Sequence, residues 1–168
     1  MTTGEQNVTA AAVGTNIYVF GDGSSPYNRV QIYNTTTNLW SPGHIMFQGE
    51  AFGQTSAVQG TNVYVFGGST VGSLNQIYNS TLDSWTEGTS SAPGGTTNQT
   101  IDTNIYLFGG GTSIYSTTGN SWSTGTAPPS GSAEVSGVVN RKIYVIGSDG
   151  TTMQIYSPAL EVFYYTVN

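Results

Sequence analysis

The residues NIYVFGDGSSPYNRVQIYNTTTNLW, 16–40, recur in altered form three times: NVYVFGGSTVGSLNQIYNSTLDSW, NIYLFGGGTSIYSTTGNSW and KIYVIGSDGTTMQIYSPALEVF. Two landmarks recur with them. Tyr18, Tyr64, Tyr106 and Tyr144 each sit among aliphatics, and Tyr33, Tyr78, Tyr115 and Tyr156 each follow an Ile. From the second landmark the next large aromatic, Trp40, Trp85, Trp122 or Phe163, is always seven residues on. Between the two tyrosines the distance changes: 15, 14, 9 and 12 residues. A constant spacing marks a fixed geometric unit, and a variable one marks a loop that can grow or shrink.

Each unit reads as four short strands. The first is VTAAAV (8–13), GQTSAV (53–58), TTNQTI (96–101) or AEVSGVV (133–139). A short turn leads to the second, which carries the first Tyr. The third ends at the second Tyr, and the fourth begins near the Trp or Phe. Runs of β-branched and aromatic residues bounded by Gly, Asn, Ser and Pro are strand signals. No segment keeps a helical apolar period over three turns, so no helix is expected. A sheet of some 40 residues cannot bury both its faces alone. Radial stacking of such sheets solves this, and the expected fold is all-β, a β-propeller of four four-stranded antiparallel blades at about 8–46, 52–90, 96–127 and 133–168.

The pattern apolar-Tyr-apolar-Phe-Gly-Gly, a variable loop, apolar-Tyr and then Trp resembles the kelch motif. The glycine pair is intact at Gly67–Gly68 and Gly109–Gly110 and degraded at Gly21–Asp22 and Gly147–Ser148. The resemblance implies that the repeated aromatics pack blade on blade. Kelch propellers usually have six or seven blades, whereas this chain writes four. A monomeric ring closed by the four blades is the expectation. A half-propeller that dimerises into eight blades is the alternative, and an excised fragment is a third reading.

Composition narrows the function. Only 7% of the 168 residues are charged, but 11 Tyr, 6 Phe and 3 Trp supply a core, so a folded single domain is expected rather than a disordered chain. Three basic residues, Arg29, Arg141 and Lys142, against a net charge of −6 cannot track a phosphate backbone or an anionic membrane. Without Cys there are no disulfides or thiolate sites. The start MTTGEQNVTA lacks the basic and apolar regions of a signal peptide, and no apolar stretch is long enough for a spanning helix.

Kelch propellers also include copper-radical sugar oxidases, which need a Cys–Tyr crosslink and two His ligands. One His and no Cys exclude that chemistry. No strand-turn-helix elbow presents a nucleophile to His44, and nothing in the sequence pairs Asp22, Glu50 and Asp149 as glycosidase carboxylates. Asp149 in SDGTT is more simply a turn former than a calcium ligand. No catalytic residue, metal or cofactor is therefore expected.

In an antiparallel blade the loops joining strands two to three, and those joining one blade to the next, share one end. These are the loops that vary, and their unrepeated residues are the binding candidates: Asp22, Tyr27, Arg29, His44, Met46, Phe47, Glu50 and Asp149. The segment HIMFQGE stands out, because exposed His, Met and Phe in one loop suggest a contact. The expected function is a non-enzymatic protein- or glycan-binding module of a surface, virion or extracellular assembly. Ser/Thr/Asn/Gly-rich composition and sequons at Asn7, Asn34, Asn79 and Asn98 favour it. An intracellular kelch adaptor is the alternative, and a carbohydrate-active enzyme a remote one.

Overall fold

A computed structural model describes residues 7–22, 27–49, 53–68, 74–90, 97–128, 133–157 and 162–166. All regular structure among them is strand: β1 (Thr9–Val13), β2 (Asn16–Phe20), β3 (Val30–Asn34), β4 (Leu39–Pro42), β5 (Gln54–Gln59), β6 (Asn62–Gly67), β7 (Asn75–Asn79), β8 (Ser84–Glu87), β9 (Thr97–Ile101), β10 (Asn104–Phe108), β11 (Thr112–Ser116), β12 (Ser121–Gly125), β13 (Ala133–Val139), β14 (Lys142–Gly147), β15 (Thr152–Tyr156) and β16 (Val162–Thr166). They form four antiparallel four-stranded sheets, each in simple sequence order, which are the four blades of a β-propeller fold. The chain divides into two compact units, Met1–Gly94 and Gly95–Asn168, with two blades in each.

Register shows why the second strand of each blade is apolar throughout. Tyr18 and Phe20 share one face of the first blade with Ala11, Val30 and Ile32, while Ile17 and Val19 share the other with Tyr33 and Trp40. In the first unit the Tyr18 face packs on the second blade. Tyr18, Phe20 and Val30 join Val63, Val65, Tyr78 and Trp85 in one core cluster. The second unit repeats the arrangement: Tyr106 and Phe108 of the third blade pack with Ile143, Val145 and Tyr156 of the fourth. A strand packed on both faces loses the in-out alternation of a half-exposed one, so both Tyr-Phe and Val-Ile positions must be apolar.

First strands of neighbouring blades also meet through paired hydroxyls. Thr9 Oγ1 lies 2.8 Å from Ser56 Oγ, and Thr97 Oγ1 lies 2.7 Å from Ser136 Oγ. These bonds satisfy polar side chains where two strands approach closely, and they set one blade's height against the next.

The turns between third and fourth strands have a shared design. Asn34 Oδ1 accepts from the Thr36 and Thr37 amides, and Asn79 Oδ1 accepts from those of Thr81 and Leu82. The second tyrosine then closes each turn by donating its hydroxyl to the residue five on: Tyr33 to Asn38 at 2.7 Å, Tyr78 to Asp83 at 2.5 Å and Tyr115 to Asn120 at 2.6 Å. All three acceptors have positive φ, which Asn and Asp tolerate better than other side-chained residues.

The fourth blade departs from this design. Trp40, Trp85 and Trp122 pair in register with Tyr33, Tyr78 and Tyr115, but Val162 pairs with Tyr156, and Phe163 falls opposite Ile155. Phe163 is therefore one residue out of the slot that its spacing predicts. The glycine pairs also differ. Gly67 and Gly68 both have positive φ, whereas neither Gly109 nor Gly110 does. Only the first pair is held by backbone conformation.

Candidate functional site

The candidate segment after β4 runs as an irregular strap from Gly43 to Gln48, bending at Phe47 and Gln48, and the second blade grips it. The His44 amide donates to Asp83 Oδ1 at 2.8 Å, and Trp85 Nε1 donates to the His44 carbonyl at 2.8 Å. The Met46 amide donates to the Asn28 carbonyl at 2.9 Å. Gln48 and Gln76 exchange two bonds: the Gln48 amide donates to Gln76 Oε1 at 3.1 Å, and Gln76 Nε2 donates to the Gln48 carbonyl at 3.0 Å. At the strap's start, an added Cβ on Gly43 would sit 2.9 Å from Val30 Cγ1 and 3.0 Å from Ile32 Cδ1.

Burial divides the candidate set, because Met46 alone among residues 44–48 is buried. Met46 points inward and is 1% exposed, packed in the cluster of Tyr18, Phe20, Val63 and Trp85. Its neighbours point outward: Ile45 is 56% exposed and Phe47 is 59% exposed. Met46 is thus a core residue, and it cannot be a contact on a loop surface. His44 contributes its backbone to the anchor. Sequence alone does not separate Met46 from Phe47, because the two adjoin in one apolar run.

Electrostatics tighten the anchor. Burial first, and then the bond to the Asp83 carboxylate, hold the Tyr78 phenol well above the ordinary tyrosine range. For Asp83, partial desolvation pushes the other way, but the Tyr78 hydroxyl, the His44 amide and the His44 side chain together hold its carboxyl below the usual value. One carboxylate therefore closes the second blade's turn and pins the first blade's strap.

The remaining candidates scatter. Asp22 is buried and pairs with Arg29, whose guanidinium lies 3.2 Å away and is partly exposed. Tyr27 has a φ of 61° at the foot of the same loop. Asp149 is exposed and caps its own turn, accepting from the Thr151 and Thr152 amides at 2.9 and 2.8 Å. Glu50 lies outside the described residues. Asp22 and Asp149 are thus committed to an ion pair and a turn. Among the described residues no group of three or more His, Asp or Glu could hold a metal ion.

Two depressions border the strap. One of about 380 Å³ is lined by Arg29, Gln31, Trp40, Pro42 and Ile45, among others. A smaller one of about 60 Å³ lies between Phe47, Gln48, Leu74, Gln76 and Glu87. Trp40 and Gln31 occupy on the first blade the register positions that Trp85 and Gln76 occupy on the second, where the strap is seated. The larger depression is the first blade's counterpart of that seat. Co-registration with Trp85 and Trp122 marks Trp40 as a packing residue, yet it also lines the larger of these two depressions.

With this geometry in hand, the comparisons with known proteins are consistent. Residues 6–46, which contain the first blade and the start of the strap, match the family model of the Kelch motif. No curated protein sequence matches the chain. Among solved structures the chain is similar to that of YjhT, with a TM-score of 0.76 and 15% identity. The match covers 97% of this chain and 66% of the other, so the chain spans just under two thirds of that structure's length. At this identity the likeness establishes the fold. The first blade is similar to the kelch motif, and the four-strand pattern recurs in all four blades of the propeller fold.

Proposed function

We propose that the protein is a non-enzymatic interaction module that recognises a protein partner through the strap after its first blade. One observation carries this reading: Ile45 and Phe47 stand 56% and 59% exposed on a backbone anchored at His44, Met46 and Gln48. Solvent-exposed apolar side chains on a mobile loop would lose entropy on binding. On a strap whose backbone is bonded at His44, Met46 and Gln48, that ordering has been met in folding, so contact energy is available for affinity. Aromatic residues beside a depression are the usual anchors of a protein interface, and Phe47 borders one while Ile45 borders the other.

The surface chemistry supports a partner met through shape and apolar contact. Seven per cent charged residues leave little for electrostatic steering, and the acidic balance disfavours nucleic acid. Low charge and abundant Ser, Thr, Asn and Gly suit a component of a surface, virion or extracellular assembly. A glycan is the second reading, supported by Trp40 lining the larger depression together with Arg29 and Gln31.

The test is to isolate what co-purifies with the native protein and to measure its affinity for wild type, Ile45→Ser/Phe47→Ser and Trp40→Ala. Loss of at least tenfold in the double variant supports the strap reading. Loss confined to Trp40→Ala, with binding on a glycan array, moves the site to the depression. Unchanged affinity in both variants refutes the proposal.

A further inference from the structure

The two depressions of the first unit are the same place on successive blades. Arg29, Gln31 and Pro42 line the first-blade one, and Leu74, Gln76 and Glu87 line the second-blade one. Register pairs Gln31 with Pro42 and Gln76 with Glu87. The carbonyls of Arg29 and Leu74 accept the equivalent amides of Gly21 and Gly67. Only the volumes differ, at about 380 Å³ on the first blade and about 60 Å³ on the second, where Phe47 and Gln48 of the strap are seated. The aromatics beneath differ in the same sense. Under the strap Tyr78 is 0% exposed and Trp85 7% exposed, whereas Tyr33 and Trp40 at the same positions are half-buried. Deeper in the first blade Val19 is covered, and the depression belongs to β3, β4 and the start of the strap.

The groups that grip the strap have counterparts here. On the second blade one residue is held by both its backbone groups: the His44 amide donates to Asp83 Oδ1, and Trp85 Nε1 donates to the His44 carbonyl. Asp83 Oδ1 accepts the Tyr78 hydroxyl at the same time. On the first blade Asn38 Oδ1 accepts the Tyr33 hydroxyl at 2.7 Å, and its second lone pair can take an amide as Asp83 does. Among the described residues the Trp40 indole N–H makes no hydrogen bond, although such a group ordinarily has a partner when it is covered.

Charge separates the two seats. Asn38 stands where the second blade has Asp83, Pro42 where it has Glu87, and Arg29 where it has Leu74. The first-blade seat thus lacks two carboxylates and carries a guanidinium, which Asp22 holds at the wall at 3.2 Å. On the second blade Leu74 lies beside Phe47 and Gln48, the third and fourth residues after the gripped His44.

We infer that the first-blade seat binds a short peptide segment of another protein. Asn38 and Trp40 grip the backbone of one residue, and Arg29 meets a carboxylate three or four residues further on. Apolar side chains between these points lie against Trp40, Pro42 and Ile45. The site is separate from the displayed side chain of Phe47 and does not rest on the reading given to it above.

NMR of the isotope-labelled full chain, titrated with blocked synthetic hexapeptides, tests this. The probes are GHIMFQ, which copies the strap, and its forms GHIMFE and GHIMFK. The Trp40 indole signal should shift saturably, while that of Trp85, already bonded to His44, should stay in place. GHIMFE should bind at least threefold more tightly than GHIMFK, a preference opposite to the one that a net charge of −6 would impose. Trp40→Phe keeps an aromatic ring, removes the donor and should weaken GHIMFE about three- to tenfold. Arg29→Leu installs the second blade's residue and should abolish the preference for Glu over Lys. Phe47→Ser should leave the titration unchanged, which keeps this test independent of the strap's own partner. A silent Trp40 signal at millimolar peptide, equal binding of GHIMFE and GHIMFK, or binding indifferent to Trp40→Phe would overturn the inference. A Trp40 response to a neutral oligosaccharide and to no peptide would overturn it equally.

Discussion

Met46 and Phe47 are adjacent, similar in size and both in the segment that the sequence marks as a contact, yet truncating them should have opposite consequences. Met46→Ala removes the thioether arm from a site that is 1% exposed. Losing the transfer energy of three heavy atoms costs about 2 kcal/mol. The aromatic walls of Tyr18, Phe20, Tyr78 and Trp85 cannot collapse into the space, so a cavity term should raise the cost to about 3 kcal/mol. Phe47→Ala, on the solvent side, should stay within about 0.5 kcal/mol of wild type. Met46→Leu nearly conserves volume and should cost less than about 1.5 kcal/mol. Urea unfolding followed by tryptophan fluorescence measures all three, with the m-value checking that the change is in stability. A Met46→Ala cost below about 1 kcal/mol, or one matched by Phe47→Ala, would refute the inward placement of Met46.

Other outcomes follow from the same contacts. Asp83 has its pKa lowered in the folded state, so its contribution is present above the ordinary carboxylate range and lost as pH falls through the folded value. Wild type should therefore outlast Asp83→Asn at neutral pH in thermal melts, and the gap should begin to close only as pH falls below about 4. Gly43→Ala should destabilise by about 1–3 kcal/mol in denaturant titration, since its Cβ would meet Val30 and Ile32 within 3.0 Å. Asn79→Ala removes the acceptor for two turn amides, and a cost of about 1 kcal/mol in the same titration is expected.

Much of the fold could be read because the repeat is written in residues that packing cannot vary. Tyr18, Tyr64 and Tyr106 sit in buried strands that begin within a residue of where the pattern puts them. Strand β13 spans the same residues, 133–139, that its sequence marks. The turn lock from the second Tyr to Asn38, Asp83 and Asn120 was also on the page, as an Asn or Asp five residues on in three copies. The fourth copy has Glu161 at that position and a Pro three residues earlier, and its register slips by one. The strap was not legible in the same way. Its anchors are backbone groups of His44 and Gln48, and its partners Asp83 and Trp85 lie some 40 residues on. A bond between a main-chain amide and a distant side chain leaves no periodic trace, so His44, Met46 and Phe47 look alike until the chain is folded.

Amide hydrogen exchange along residues 43–48 tests most directly that this strap is a built part of the fold which displays Ile45 and Phe47. The amides of His44, Met46 and Gln48 each have a bonded acceptor and should exchange as slowly as those of strands β2 and β6, and Asp83→Ala should release His44. Exchange of all three amides at the rate of an unbonded loop would contradict the account.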